Sequence, residues 1–182
     1  GDGFSTRQAL IDAFNNDEIP SDDLYLIGTF HYYDPFSFTK VSNTNPGYNP
    51  FWGTSAELAQ VATDFDAVVS ANDNWATRNL TEPLPIYLGE FGVDNEADNH
   101  GSDRKKWLSW TRMQAEARGM SWAHWNMYQN QPATKGMGEW TYGSKGTIQN
   151  PSNRAFDPDP LEALVGHYAV SYTHLTLPTR LM

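Results

Sequence analysis

Hydrophobic residues recur along the chain with two periodicities, and their alternation predicts strands separated by helices. Three short runs rich in β-branched and aromatic residues predict strands. Between them, apolar positions three or four residues apart predict amphipathic helices. The predicted strands are 24–33, 85–91 and 120–125. The predicted helices are 5–15 with Ser5 as N-cap, 55–74 capped by Thr54 or Ser55, 102–118 ended by Gly119, and 161–168.

Strands that alternate with helices over connections this long imply a parallel sheet and an α/β fold. Such a sheet either closes into a barrel or stays open as a doubly wound sheet. No G-x-G-x-x-G follows any of the strands, which disfavours a nucleotide-binding doubly wound protein. A complete (β/α)8 barrel takes about 250 residues, so a barrel built from this chain would be incomplete.

The amino-acid composition of the chain limits the classes of ligand and partner that it could bind. The net charge of −10 disfavours nucleic acid and membranes, because an acidic surface repels phosphates and anionic lipids. The chain has no cysteine, which excludes disulfides, thiol nucleophiles and thiolate-bound metals. Its 7 Trp and 9 Tyr suit either an aromatic core or flat surfaces that bind sugar rings.

The second predicted strand ends in a carboxylate. Side chains alternate along a strand, so Ile86, Leu88 and Glu90 are predicted to share one face. Gly89 and Gly92 flank Glu90 and permit a close approach or a sharp bend. In barrel enzymes the catalytic groups lie at this end of the strands. Glu90 is therefore a candidate catalytic carboxylate, and the alternative is an ordinary surface glutamate at a strand end.

The other two predicted strands also end in polar or aromatic side chains. His31 and Tyr33 share a face at the end of the first strand, and both can hydrogen-bond a carboxylate or a sugar hydroxyl. A tyrosine hydroxyl beside the carboxylate of Glu90 would orient it and favour its charged form. Trp125 ends the third strand above two small residues, as a ligand platform would. The alternatives are a solvent-edge His and Tyr and a core Trp.

Three stretches carry a family resemblance: LIGTFHYYDPFSFT at 26–39, PIYLGEFG at 85–92 and SWAHW at 121–125. They resemble strands six, seven and eight of glycoside hydrolase family 5 endoglucanases, and the spacing between them is similar as well. The resemblance covers about residues 4–168. It implies that residues 1–169 are the C-terminal half of a (β/α)8 TIM barrel, with about three of its strands.

The resemblance also implies roles for five residues. Glu90 falls on the family's nucleophile, and His31 and Tyr33 fall on its active-site pair. Trp125 falls on the aromatic floor beneath the sugar, and Asn126 falls where relatives often carry a substrate-binding Glu. The implied protein is a secreted, monomeric enzyme that hydrolyses a β-glucan with retention. It needs no metal and no organic cofactor.

Two features depart from the family pattern. The family's acid/base is a Glu in an Asn-Glu pair that closes strand four, which is expected before residue 1. Asn95-Glu96 lies only five residues beyond Glu90 and is interpreted as a solvated loop pair. The isolated chain is therefore expected to be inactive. Residues 170–179 resemble a translated sequencing adapter, so residues 170–182 are interpreted as a non-native tail.

Other functions stay open on the sequence alone. A mannanase or another β-glycanase of the same family would keep Glu90 in its role and differ in loop contacts. A non-catalytic carbohydrate-binding module would use its aromatic residues to stack on sugars. Such modules are usually all-β with frequent turns, and the long amphipathic segments at 55–74 and 102–118 argue against one.

Overall fold

Strands and helices alternate along the chain in the computed structural model of the protein, as the hydrophobic patterning predicts. The structure describes residues 5–23, 25–39, 47–93, 102–125 and 162–164. The elements are α1 (Arg7–Asn15), β1 (Gly28–Tyr32), α2 (Phe36–Thr39), α3 (Ser55–Asn79), β2 (Ile86–Phe91), α4 (Ser102–Glu116) and β3 (Ser121–His124). Residues 162–164 are also helical, and the rest of the last predicted helix lies outside the described residues.

The three strands form one parallel sheet in the order β1-β2-β3, which confirms the predicted α/β class. The first strand is shorter than predicted. Its pairing with β2 begins at Gly28, whose N–H donates to the carbonyl of Pro85 at 2.9 Å. Because Pro85 has no N–H, the ladder cannot continue toward earlier residues. Tyr25 and Ile27, which precede the pairing, are 94% and 62% exposed.

Helix α3 has a complete amino-terminal cap and is longer than predicted. The Thr54 hydroxyl accepts from the N–H of Glu57, and the Glu57 carboxylate accepts from the N–H of Thr54, which forms a capping box. The helix continues past residue 74 to Asn79 because its last turns are buried. Trp75 packs there against Phe14 of α1, with ring centroids 5.7 Å apart.

Helix α1 begins differently from its prediction. Its N-cap residue is Thr6, and no side chain makes a capping hydrogen bond. The Ser5 hydroxyl instead accepts from the N–H of Tyr33 at 3.1 Å. The prediction of Ser5 as the cap is therefore wrong, because the end of β1 competes for the same oxygen. At the end of α4, Gly119 takes a left-handed φ of +69°, which confirms the predicted stop.

Alternate strand residues enter an apolar core beneath α3 and α4. The ring of Phe30 meets that of Phe65 edge-on at 5.5 Å, and the ring of Tyr32 stacks on Trp107 at 6.1 Å. All four side chains are at most 1% exposed. Thr29, which has the opposite parity, is exposed. The described helices therefore cover one face of the sheet, and the other face carries the candidate site.

Strand β2 contains a β-bulge at Gly89. Phe30 pairs with Leu88, but His31 pairs with Glu90, so one residue of β2 has no partner. Because paired residues point to the same face, Leu88 lies in the core whereas Glu90 lies on the opposite face with His31. The prediction that Glu90 shares a face with Ile86 and Leu88 is wrong, since the extra residue reverses the alternation.

Candidate active site

A carboxylate, a phenol and an imidazole meet at the carboxyl ends of β1 and β2. The Tyr33 hydroxyl donates to Oε2 of Glu90 at 2.8 Å, and Nδ1 of His31 lies 3.3 Å from the same oxygen. The side chains of Glu90 and His31 are 24% and 33% exposed, so the cluster is open to a ligand. The predicted approach of these three residues is confirmed, and their catalytic roles stay predictions.

The bulge at Gly89 turns Glu90 toward its partners and also requires glycine. A Cβ atom at this position would lie 2.9 Å from Oγ1 of Thr29 and 3.4 Å from Cδ2 of His31. The first distance is shorter than real contacts allow, so a larger residue would displace the side chains beneath the site. Gly89 therefore contributes both the direction of Glu90 and the space for His31.

Tyr33 is held as a hydrogen-bond donor. Its side chain is buried, and its own carbonyl accepts a hydrogen bond from the hydroxyl of Thr39 at 2.5 Å. Burial raises the pKa of Tyr33 far above its ordinary value, and the hydrogen bond to Glu90 and the charge of that carboxylate raise it further. The raised pKa favours the protonated phenol, which donates its hydrogen bond to Oε2 of Glu90.

Trp125 follows β3 at the same edge of the sheet. Its backbone N–H donates at 2.9 Å to the carbonyl of Phe91, the residue next to Glu90, and its side chain is 46% exposed. The indole is therefore accessible to solvent, and its role as a stacking platform stays a prediction. The predicted substrate-binding residue Asn126 lies outside the described residues. So do Asn95-Glu96 and the tail at 170–182.

Three further side chains hold the site in place, and sequence patterns did not identify them. Thr6 accepts from the backbone N–H of His31 at 2.8 Å, and Ser5 accepts from that of Tyr33. The indole N–H of Trp107 donates to the carbonyl of Asp34 at 3.1 Å. These partners are 25 to 73 residues apart. Local periodicity contains no signal for contacts of that range.

The arrangement leaves one carboxylate oxygen available for chemistry. Both contacts to Glu90 use Oε2, and none of the described residues donates a hydrogen bond to Oε1. Such a carboxylate is oriented through one oxygen and can attack an electrophile with the other. Among residues 5–23, 25–39, 47–93, 102–125 and 162–164, no group of three or more His, Cys, Asp and Glu could hold a metal ion.

The helices that the structure describes include none with the length and hydropathy needed to cross a bilayer. Helix α3, the longest of them with 25 residues, begins and ends in polar sequence and carries charged residues along its exposed side. Its buried side chains pack against α1 and the sheet.

Comparison with known proteins identifies a family of similar sequences. The sequence profile described as cellulase (glycosyl hydrolase family 5) matches residues 5–131. Endoglucanase H of Acetivibrio thermocellus is 36% identical over 152 residues, which cover 82% of this chain and 14% of that protein. The chain therefore spans only a small part of this relative.

Solved structures show the same similarity. Cellulose synthase subunit Z of Clostridioides difficile superposes with a TM-score of 0.60 and 30% identity, over 85% of this chain and 45% of that chain. Thermotoga maritima Cel5A in complex with cellobiose has a TM-score of 0.60 and 27% identity, over 85% and 44%. The same enzyme in complex with mannotriose has a TM-score of 0.57 and 27% identity, over 80% of this chain and 41% of that chain. The chain spans less than half the length of each solved chain.

Proposed function

The chain belongs to glycosyl hydrolase family 5, and from this premise we propose that the polypeptide containing it hydrolyses β-1,4-linked glucan with retention of configuration. In this proposal Glu90 is the nucleophile. The observation that carries it is a partly exposed carboxylate at the carboxyl end of a parallel strand, bound through one oxygen by Tyr33 beside His31. Catalytic groups of TIM-barrel enzymes lie at that end of the strands.

The proposed architecture is the C-terminal half of a (β/α)8 barrel, formed by residues 1–169. Three parallel strands with helices on one face match three consecutive units of such a barrel. The exposed face that carries Thr29, His31 and Glu90 would be the interior of the barrel. The coverage of 45% or less of the solved relatives supports this proposal, and the remaining strands would come from upstream sequence.

In the proposed mechanism, Oε1 of Glu90 attacks the anomeric carbon while Tyr33 and His31 hold Oε2. The bond to the leaving oxygen breaks with its electron pair, and a second carboxyl group protonates that oxygen. A covalent glycosyl ester results, and water activated by the second carboxylate hydrolyses it. The two carboxyl groups of retaining enzymes stand about 5–5.5 Å apart. We assign the second to an upstream Asn-Glu pair, as the family resemblance implies.

The proposal also covers the residues that bind the substrate, the need for cofactors, the location of the enzyme and its oligomeric state. The half-exposed indole of Trp125 would stack on the sugar next to the scissile bond, and Asn126 would be a substrate-binding residue, as the family resemblance implies. Hydrolysis by two carboxyl groups needs neither a metal nor an organic cofactor. A polysaccharide does not enter cells, so we propose that the enzyme acts outside the cell, as a monomer.

A labelling experiment on the complete polypeptide tests the proposal. An activated 2-deoxy-2-fluoro cellobioside should form a stable ester, because the fluorine slows hydrolysis of the intermediate. Mass spectrometry should find the sugar on the peptide that contains Glu90, and turnover of soluble β-glucan should stop. A label on another residue, or turnover without any label, would reject Glu90 as the nucleophile. Residues 1–182 expressed alone should show neither labelling nor turnover.

Mannan is the second candidate substrate. The observation in its favour is that Thermotoga maritima Cel5A, a similar structure, has been solved with both cellobiose and mannotriose. A panel of cellulose derivatives, mannan and xyloglucan assayed with the same preparation separates the two. The proposed glucanase should have its highest kcat/KM on the glucan, whereas a preference for mannan would assign the second activity to the same Glu90.

A further inference from the structure

Two hydroxyl groups at the start of the described chain bind the two residues that hold Glu90. Oγ1 of Thr6 accepts from the backbone N–H of His31 at 2.8 Å, and Oγ of Ser5 accepts from the backbone N–H of Tyr33 at 3.1 Å. The N–H of Thr6 also donates to the carbonyl of His31 at 3.2 Å. Together these bonds attach residues 5–6 to the edge of β1 that faces away from β2.

Helix α1 lacks the side-chain hydrogen bond that commonly stabilises the start of a helix. A Ser or Thr cap stabilises a helix by about 1 kcal/mol. Thr6 occupies the N-cap position of α1, yet no side chain makes a capping hydrogen bond there. The hydroxyls of Thr6 and Ser5 are committed instead to the end of β1. The two hydroxyls therefore stabilise the end of β1 that carries His31 and Tyr33 rather than the start of α1.

Tyr33 depends on this attachment more than His31 does. It lies one residue beyond β1, after the last rung of the ladder, in which Tyr32 pairs with Phe91. Its N–H is bound by Ser5 and its carbonyl by the hydroxyl of Thr39. Side-chain oxygens on two separate segments therefore determine where its phenol meets Glu90.

We propose that Ser5 and Thr6 are positioning residues of the active site. They fix the backbone at His31 and Tyr33, and thereby the direction in which Glu90 points at the anomeric carbon. The inference rests on the proposed role of Glu90 as nucleophile. Supporting residues of this kind act through the geometry of the catalytic groups that they hold. A shift of about 1 Å in such a group lowers the catalytic rate more than it weakens substrate binding.

The test uses the complete polypeptide and the fluorinated cellobioside described above. Thr6→Val keeps the shape and the backbone bond to His31 but removes the acceptor oxygen. We expect it to slow the labelling of Glu90 by about tenfold, the equivalent of one lost hydrogen bond. On an aryl cellobioside, kcat should fall by a similar factor while KM stays within about twofold. Thr6→Ser, which restores the oxygen, should label at the wild-type rate.

Thr77→Val is the matched control. The hydroxyl of Thr77 donates to the carbonyl of Asp73 at 2.8 Å on the exposed side of α3, remote in sequence from the site residues. It loses one side-chain hydrogen bond of the same length at an exposed position, so its melting temperature should change no more than that of Thr6→Val. Its labelling rate should stay at the wild-type value.

The outcomes separate this inference from the proposed function. If wild-type protein does not label at Glu90, the proposed function fails and the positioning role fails with it. If wild-type protein labels but Thr6→Val labels equally fast, or Thr6→Ser is as slow as Thr6→Val, only the positioning role is rejected. Should Thr6→Val not fold, Ser5→Ala decides in the same assay, because it removes only the acceptor for Tyr33.

Discussion

Two adjacent tyrosines each donate a hydrogen bond to a carboxylate, and the two pairs lie on opposite faces of the sheet. Tyr32 donates to Oδ2 of Asp64 at 2.9 Å on the face beneath the helices. Tyr33 donates to Oε2 of Glu90 at 2.8 Å on the face that carries the candidate site. The donors and the distances are nearly the same, so the surroundings must account for any difference in what the carboxylates do.

The surroundings of the two carboxylates differ in charge and in access. Asp64 is 9% exposed and forms an ion pair with Arg7, and its second oxygen accepts from the amide of Gln60 at 2.9 Å. Glu90 is 24% exposed, and both of its contacts use one oxygen. A carboxylate with both oxygens bound and its charge paired is structural. A carboxylate bound through one oxygen and reachable from solvent is available for chemistry.

The largest expected effect separates the two carboxylates directly. In the complete polypeptide, Glu90→Gln should lower kcat on soluble β-glucan by at least about a thousandfold, because an amide cannot form the ester. Its melting temperature should change little. Asp64→Asn should keep kcat within a few-fold.

The same Asp64→Asn variant should lose stability, because it removes the charge of the carboxylate nearest to Arg7 and leaves only Asp34, 3.7 Å from that guanidinium, to pair with it. We expect a loss of about 2–3 kcal/mol in urea unfolding, at or below the lower end of the range for fully buried pairs. The expected loss is smaller than for a fully buried pair because the Arg7 side chain is 20% exposed and can regain some hydration. A large loss of kcat in Asp64→Asn with unchanged stability would contradict the division into a structural and a chemical carboxylate.

The next effect tests how the bulge directs Glu90. Gly89→Ala should lower kcat by about a hundredfold, because the new methyl group would overlap Oγ1 of Thr29 and displace His31. Thr29→Ala removes the closest atom, so the double variant should recover part of the loss. Thr29→Ala alone, assayed in parallel, shows how much of the change belongs to that threonine. No recovery in the double variant would mean that the overlap is not the cause.

The tyrosines themselves give a smaller effect. Tyr33→Phe should lower kcat by about tenfold, since a hydrogen bond to a charged group contributes about 1.5–3 kcal/mol and part of it is replaced by water at this open site. Tyr32→Phe should leave kcat unchanged and lower the free energy of unfolding by about 1–2 kcal/mol, because Asp64 loses a buried donor. Steady-state kinetics and urea unfolding on both variants measure the two quantities. Equal effects on kcat would remove the distinction between the faces.

Sequence patterns predicted the strands and the residues at their tips because both depend on local alternation. The pairing of His31 and Tyr33 with Glu90 followed from the rule that carboxyl ends of parallel strands meet at one edge. The face of Glu90 did not follow, because a bulge at Gly89 is a property of the register between two strands. A glycine before the carboxylate permits a bulge, but only the neighbouring strand reveals that one is present.

The start of α1 shows a second limit of the same kind. Ser5 and Thr6 have the composition of a helix cap, and local propensity places them there. The competing partners are backbone N–H groups of residues 31 and 33, which come close only after the chain has folded. Propensity describes what a segment does by itself, so it fails where a distant segment binds the same atoms more effectively.

The smallest expected effect concerns alkaline pH and again compares the tyrosines. Burial raises the pKa of both Tyr32 and Tyr33 well above 10, helped in each case by the neighbouring carboxylate. Since the folded pKa exceeds the unfolded one, the contribution of each tyrosine to stability is complete below about pH 10 and declines as pH rises, because the unfolded chain then releases a proton that the folded chain retains.

Each of the two tyrosines should therefore steepen the loss of unfolding free energy above about pH 10 by at most about 1.4 kcal/mol per pH unit. Urea unfolding of wild type, Tyr32→Phe and Tyr33→Phe between pH 9 and 11 measures that slope. Each variant should reduce the slope by the contribution of one titrating proton. An unchanged slope in Tyr33→Phe alone would mean that its phenol ionises in the folded protein. In that case solvent reaches Tyr33 as well as Glu90. The two faces of the sheet then differ more in solvent access than their similar hydrogen-bond lengths suggest.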